Sequence, residues 1–474
     1  MVFSSTIFIF IYLPIALMLY YITPFKWRNL VLLIENLVFY GWGEPVYVFL
    51  MLASVAVDYF LALMIERSHN KGEKGKKWLI ISVIINIGLL VLFKYLTFIC
   101  DTLNALFSLN IALKMNIVMP IGISFYTFQK MSYVIDVYRN DCKAQHSFTA
   151  FGTYVSLFPQ LIAGPIVKYR DVAEQMETRN TSVDKFSDGV CVFIVGLCKK
   201  VLLANSIGIL WDTLYNSGNL SVLGAWLAVA AFTFQIYFDF SGYSDMAIGL
   251  ALLLGFRFPV NFDSPYQSAT ITEFWRRWHI SLSSWLKDYL YISLGGNRKG
   301  RARTYANLML TMLLGGLWHG AAVRFILWGA LHGAALAVHK ALMHAFPSVF
   351  KASGEQMRPW RRVLGVLVTF HVVCLGWILF RAPDMHTGER ILSQIFGHFQ
   401  WRLIPQVVSG YGAVMALMAA GYLLHMLPRR AEAWGERTVA GAPLVVKALM
   451  LTVLIWCVMQ IKSSEIQPFI YFQF

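Results

Sequence analysis

The chain reads as an all-α protein built inside a membrane, a polytopic helical bundle with about 10–12 segments long enough to cross or nearly cross a bilayer. Three observations predict this. Of 474 residues, 58% are hydrophobic and only 14% charged, and the mean hydropathy is +0.58, far above that of an ordinary soluble domain. Apolar stretches close to the roughly 20 residues that a spanning helix needs recur along the whole chain. Alternating ten-residue segments, the mark of a lipid-facing barrel strand, are absent.

Taken in order, the apolar segments are 4–23, 46–65, 78–99, 190–212, 222–240, 322–343, 361–380, 410–427 and 443–461. The first has no basic residues ahead of it and is followed by Lys26 and Arg28, so it is expected to stay as an anchor with its N-terminus outside. Segment 29–42 then crosses outward, Gly41 to Pro45 turns, and 46–65 returns to the basic loop 66–77. Lysine and arginine also gather at 276–303, 358–362 and 429–437, and the net charge is +15. This pattern marks cytoplasmic loops on anionic lipid and excludes a nucleic-acid partner as its cause. One membrane-embedded domain over 1–474 is expected, with N-terminal helices in 1–116, a core in 117–345 and C-terminal helices in 346–474. Six cysteines without a C-x-x-C pair, and histidines without H-x-x-x-H spacing, offer neither a disulfide framework nor a metal site.

Two stretches break the spanning pattern. In 117–170, Pro120-Ile-Gly-Ile-Ser-Phe-Tyr-Thr-Phe-Gln129 and Phe158-Pro-Gln-Leu-Ile-Ala-Gly-Pro165 put paired prolines and glycines into apolar sequence. Such backbone predicts kinked or re-entrant segments, permitted only where protein or a water-filled cavity covers the freed groups. The second stretch, 235–303, opens with Asp239, Ser241, Tyr243, Ser244 and Asp245. Carboxylates at membrane depth must be paired or face an aqueous cavity, so both aspartates are read either as helix-to-helix ties or as substrate contacts. Further on, Trp275, Trp278 and Trp285 interleave with Arg276, Arg277 and Lys287, a composition for helices lying at the cytoplasmic interface. Thr272 is the expected N-cap there, without a full capping box. The loop 295–303 gathers four cations, including Arg298 beside Asn297, and suits either positive-inside topology or a phosphorylated or nucleotide-bearing donor.

His319, in Trp318-His319-Gly320, is the ionisable side chain of the apolar run 309–320. A buried imidazole is held neutral and can serve as a general base or as a nucleophile toward a thioester, or it can simply tie two helices. His279 is the second candidate, forty positions earlier, and sequence leaves open whether the two meet. His332, His339 and His371 are read as structural.

The ordered set Tyr237-Phe-Asp-Phe-Ser-Gly-Tyr-Ser-Asp-Met-Ala247, Asn261-Phe-Asp-Ser-Pro-Tyr266, Phe274-Trp-Arg-Arg-Trp-His-Ile-Ser-Leu-Ser-Ser-Trp285 and Gly315-Gly-Leu-Trp-His-Gly320 resembles the membrane-bound O-acyltransferase family. Gly164-Pro165, Cys374-Leu-Gly-Trp377 and Pro468-Phe-Ile-Tyr-Phe-Gln-Phe474 extend the likeness over nearly the whole chain. The resemblance implies a ring of helices around a central funnel, with catalytic histidines at His319 and His279. The substrate-binding residues proposed with them are Trp318, Asp239, Ser241, Tyr243, Asp245, Trp275, Arg276, Trp278, Asn297 and Arg298. It implies acetyl-CoA as a cytoplasmic donor substrate, no bound cofactor or metal, and a bacterial inner-membrane location. The acetyl group would pass outward for O-acetylation of alginate or another cell-surface glycan, with an external serine-nucleophile acetyltransferase of the SGNH type completing delivery. The tail 463–474 is one expected docking point for that partner. Rival readings are D-alanyl transfer from a carrier protein to teichoic acid, and a transporter or flippase, although no matching halves are visible in the sequence.

Overall fold

The fold is that of a computed structural model describing residues 2–111, 118–216, 221–347, 357–397, 399–427 and 429–460. Among these residues all regular structure is helical. Seven helices have the length and apolarity to cross a membrane: Tyr47–Asn70, Lys76–Phe107, Val183–Leu214, Val222–Leu253, Val323–Ala345, Pro359–Arg381 and Trp401–Met426. The chain is therefore a multi-pass membrane protein. Phe8–Ile22 is a shorter apolar helix, and 29–42 becomes Arg28–Gly41, only ~21 Å long at 1.5 Å per residue and so short of a ~30 Å hydrocarbon core. The outward faces are apolar, as Phe49, Ile84 and Leu423 illustrate, which is what lipid as solvent demands. The tail 463–474 lies outside the described residues.

The chain divides into two compact units. The first comprises Met1–Phe193 and Met246–Pro259. Its polar interior centres on Asp58, which lies 3.4 Å from Lys130 Nζ and accepts hydrogen bonds from Ser82 Oγ at 2.5 Å and Asn86 Nδ2 at 2.9 Å. A lysine and a carboxylate buried together tolerate low dielectric only because the remaining lone pairs are bonded in this way. The interrupted stretch 117–170 becomes Ile123–Arg139, then Phe148–Ser156, the single turn Phe158–Leu161 and a buried irregular run 162–168. Side chains serve the freed backbone groups: Asn36 Oδ1 accepts from Phe158 N at 3.0 Å and Tyr154 donates to Val167 O at 2.8 Å. Protein thus covers this broken backbone, as irregular structure at membrane depth requires.

The second unit comprises Ile194–Asp245 and Val260–Phe474. The apolar segment expected at 222–240 continues to Leu253, because Asp239 and Asp245 do not end the helix but pair along it. Lys200 Nζ sits 2.6 Å from Asp239 and Lys199 Nζ 2.7 Å from Asp245. Gly242, between them, meets the Gly196 carbonyl oxygen at 2.7 Å from where a Cβ would lie, so the two helices pack backbone to backbone. The tryptophan-rich stretch is not one helix. Ile271–Arg277 is capped by Thr270, whose side chain accepts from Glu273 N at 3.1 Å, while Glu273 Oε2 accepts from Ala269 N at 2.9 Å. The expected cap at Thr272 is therefore corrected by two residues, and the Thr-x-x-Glu spacing of a capping box is present from Thr270.

Candidate active site

Two glycines bring the helix Arg301–His319 against Val323–Ala345. A Cβ on Gly316 would lie 2.2 Å from the Phe325 carbonyl oxygen, and one on Gly329 would lie 2.3 Å from that of Met312. Any larger residue at either place would part the helices. Their close approach sets Trp328 of the second helix edge-on to His319, the last residue of the first, with ring centres 5.0 Å apart at 83°. Trp318 at 5.1 Å and Phe380 at 5.2 Å close two further sides. His319 is 8% exposed, so its imidazole sits in a nearly dry aromatic box with a narrow opening.

His279 is placed by different means. It joins Ile271–Arg277 to Ile280–Trp285 in a left-handed backbone conformation, φ 43° and ψ 56°, unusual for a residue with a Cβ. Asn261 holds it there. The backbone N–H of Ser281 donates to Asn261 Oδ1 at 3.1 Å and the Ser281 hydroxyl at 2.9 Å, while Asn261 Nδ2 donates to Ser244 Oγ at 3.0 Å. A backbone N–H can only donate, which fixes the amide orientation. His279 Nδ1, 3.2 Å from the same oxygen, must then carry the proton. Its Nε2 keeps the lone pair, is buried and has no hydrogen-bond partner in the protein. Burial among Phe240, Phe262 and Trp318 pushes the imidazole pKa down to about 3, because the charged form loses its hydration.

One indole links the two histidines. Trp318 lies 5.1 Å from the His319 ring and 6.4 Å from that of His279, so the fold does bring the pair to one place. Trp275 packs on Trp328 at 5.6 Å and Trp278 on Trp377 at 4.8 Å; both belong to the aromatic walls. Tyr243 and Ser241 are buried in the same unit. Asp239 and Asp245 form the ion pairs with Lys200 and Lys199 described above, which is the helix-tying role. Arg276 and Arg298 are exposed. Asn297 accepts hydrogen bonds from the Tyr291 hydroxyl and, at 2.8 Å, from Lys340 Nζ.

Sequence reasoning did not single out Trp328 or Phe380, and it read His332 as structural. His332 is fully buried, packs tilted against Trp328 with ring centres 4.7 Å apart and has both ring nitrogens without a protein partner. The available signal was a lone imidazole one turn beyond Trp328 in an apolar helix. The role of Asn261 was visible only as part of a motif. Among the described residues no cluster of side chains suited to a metal ion occurs. A neutral imidazole with a free lone pair, walled by rings that exclude water, is equipped for proton abstraction or for attack on an activated carbonyl.

Comparison with known proteins agrees with this chemistry. Residues 140–375 match the membrane-bound O-acyltransferase family. The chain is 40% identical to the probable alginate O-acetylase AlgI of Pseudomonas putida, over the full length of both chains. It is 35% identical to the peptidoglycan O-acetyltransferase of Helicobacter pylori over 84% of this chain and 80% of that protein. It is 26% identical to the teichoic acid D-alanyltransferase of Bacillus subtilis over 57% of this chain and 71% of that one. With both histidines in one aromatic site and a full-length relative at this identity, the chain belongs to the membrane-bound O-acyltransferase family and is an acyltransferase.

Proposed function

We propose that this enzyme takes an acetyl group from cytoplasmic acetyl-CoA and passes it through the membrane for O-acetylation of an extracytoplasmic polysaccharide, with His319 as the imidazole that handles the acyl group. The observation that carries the reading is the boxed position of His319, joined through Trp318 to a neutral His279. Charged CoA does not cross an apolar core, whereas an acetyl group detached from it is small and uncharged. In the first step an imidazole nitrogen attacks the thioester carbonyl carbon, the C–S bond breaks and CoA leaves as a thiolate. In the second an acceptor hydroxyl attacks the acyl carbon, the C–N bond breaks and the imidazole leaves neutral; the hydroxyl proton passes to solvent and the thiolate gains one there, so the products are the ester, the thiol and the unchanged enzyme. Direct transfer with His319 as general base gives the same balance in one step. Either route builds positive charge on an imidazole at the C-terminal end of a helix, where the carbonyl ends stabilise it by ~0.3–1 kcal/mol.

Acetyl rather than D-alanyl transfer is favoured by the relatives of higher identity and coverage, whose names are those of O-acetylating enzymes. Membership of an acyltransferase family leaves the transporter reading without support. The acceptor is a cell-surface glycan such as alginate or peptidoglycan, reached through an external serine-nucleophile partner, and the location is the bacterial inner membrane. The test is His319→Ala in cells that lack their own copy. Polysaccharide-bound acetyl should fall by about 10³-fold or more at unchanged protein level in the membrane, and acetylation within twofold of wild type would sink the assignment.

A further inference from the structure

Behind the indole that walls His319 lies another imidazole, which the chemistry above leaves unused. His332 is completely buried on the apolar helix Val323–Ala345, one turn after Trp328. Its ring centre sits 4.7 Å from that of Trp328 and 5.2 Å from that of Trp275. Neither of its nitrogens has a hydrogen-bond partner among the described residues, and the same holds for the indole nitrogens of Trp328 and Trp275. An indole N–H can only donate, and a neutral imidazole keeps one lone pair. Donors and an acceptor therefore lie together at membrane depth, where leaving them unpaired is costly. A plain helix contact needs none of this, because a phenylalanine would fill the same space without the cost. The backbone opposite is shaped to the same point. Gly376, of Cys374-Leu-Gly-Trp377, carries no side chain, and a Cβ there would lie 2.8 Å from His332 Nε2 and 3.5 Å from Trp328 Nε1. The two nitrogens thus converge on one spot of the helix Pro359–Arg381, and glycine gives that spot the room a methyl would take.

We propose that His332 is a positioning residue of the acyl site, joined to the Trp328 indole N–H by one buried water held over Gly376. The water oxygen accepts the Trp328 N–H, and one of its O–H bonds is donated to the lone pair of His332 Nε2. Packing gives Trp328 its place; this link gives it its rotation. The indole stands nearly perpendicular to the His319 imidazole, at 83° with ring centres 5.0 Å apart, and that setting shapes the space in which His319 gains and loses the acyl group. The inference rests on His319 as the imidazole that handles the acyl group; the link between His332 and Trp328 does not.

The experiment compares His332→Gln with His332→Met in membranes carrying the full chain, supplied with acetyl-CoA over a range of concentrations, with polymer-bound acetyl as the readout. The two side chains have nearly the same length, but glutamine offers a donor and an acceptor and methionine only a weak acceptor. In His332→Met kcat should fall about tenfold, with the apparent KM for acetyl-CoA within about twofold of wild type, because a misplaced wall slows the chemistry and not the entry of the donor. His332→Gln should stay within about threefold of wild type, since an amide can hold the same water. Trp328→Phe removes the N–H at the other end, so adding His332→Met to it should cost no more than about twofold further. Equal rates in wild type and His332→Met overturn the proposal, as do equal losses in the Met and Gln variants or losses that multiply in the double variant. If His332→Met does not accumulate in the membrane, His332→Phe, which keeps a ring and loses both nitrogens, is compared with His332→Gln in the same way. The cycle of His332→Met and Trp328→Phe is also read as Tm in the purified His319→Ala chain, where it should again be non-additive. Additive shifts there overturn the link, whereas transfer retained by His319→Ala sinks the acyl reading alone.

Discussion

The two histidines of the site differ in what holds them. His279 is fixed by hydrogen bonds: Asn261 grips its Nδ1, its neighbour Ser281 and, through Ser244, the helix Val222–Leu253. His319 is surrounded by Trp318, Trp328 and Phe380, whose positions depend on how closely two helix backbones approach. Hydrogen bonds specify a tautomer; packing of rings specifies a place and excludes water. A residue meant to present one defined lone pair needs the first kind of support. A residue that takes up and loses a substituent needs room to change its charge, and the second kind provides walls of fixed shape around it.

The largest effect expected from breaking this contrast comes at Asn261. Asn261→Leu keeps most of the volume and removes the acceptor that defines the His279 tautomer and the left-handed turn. Misplacement of a catalytic group by about 1 Å costs roughly 100-fold, and acetyl transfer by Asn261→Leu should fall by that order while the amount of protein in the membrane falls far less. Asn261→Asp, which keeps the acceptor and loses only the donor to Ser244, should recover most of the rate. Equal losses in the two variants would mean that the asparagine ties helices without setting the tautomer.

A smaller effect is expected from the other side of the comparison. Gly329→Ala places a methyl 2.3 Å from the Met312 carbonyl oxygen, so the helices must separate and carry Trp328 away from His319. Overpacking of this kind costs about 1–3 kcal/mol of stability, measurable as a lowered Tm of the purified protein, and the transfer rate should drop about tenfold. The Asn261 network lies on other elements and should be untouched. A rate drop without a lowered Tm would show that Trp328 is moved by something other than the helix contact.

This contrast also explains what was legible in the chain. Composition and apolar runs carry the fold class, because lipid permits few ways to bury a backbone, and the helix ends agree closely at 322–343, which becomes Val323–Ala345, and at 361–380, which becomes Pro359–Arg381. His319 and His279 were legible through motif, as was Trp318 between them. Trp328 and Phe380 were not, since a tryptophan or phenylalanine in an apolar helix carries no mark of which ring it will face. Asp239 was read as either a tie or a contact, and the choice depended on Lys200, thirty-nine positions away and 2.6 Å distant only in the folded chain. The Thr270 cap was missed because the helix it starts is two residues earlier than the aromatic run suggests.

The smallest expected effect is a pH dependence that belongs to His279. His279 has its pKa pushed from 6.5 to about 3 by burial. Between those values the unfolded chain binds a proton that the folded chain does not, so the contribution of this site to stability is complete above pH 6.5 and declines as the pH falls from 6.5 toward 3. The folded imidazole stays neutral throughout the physiological range, so His279 itself should add no limb to the pH–rate profile between pH 5 and 8. Replacing it by Gln, which has no titration there, should make the fall in Tm between pH 6.5 and pH 5 shallower than in wild type. A wild-type slope matched by His279→Gln would mean that His279 is protonated in the folded enzyme. The lone pair at Nε2 would then be gone.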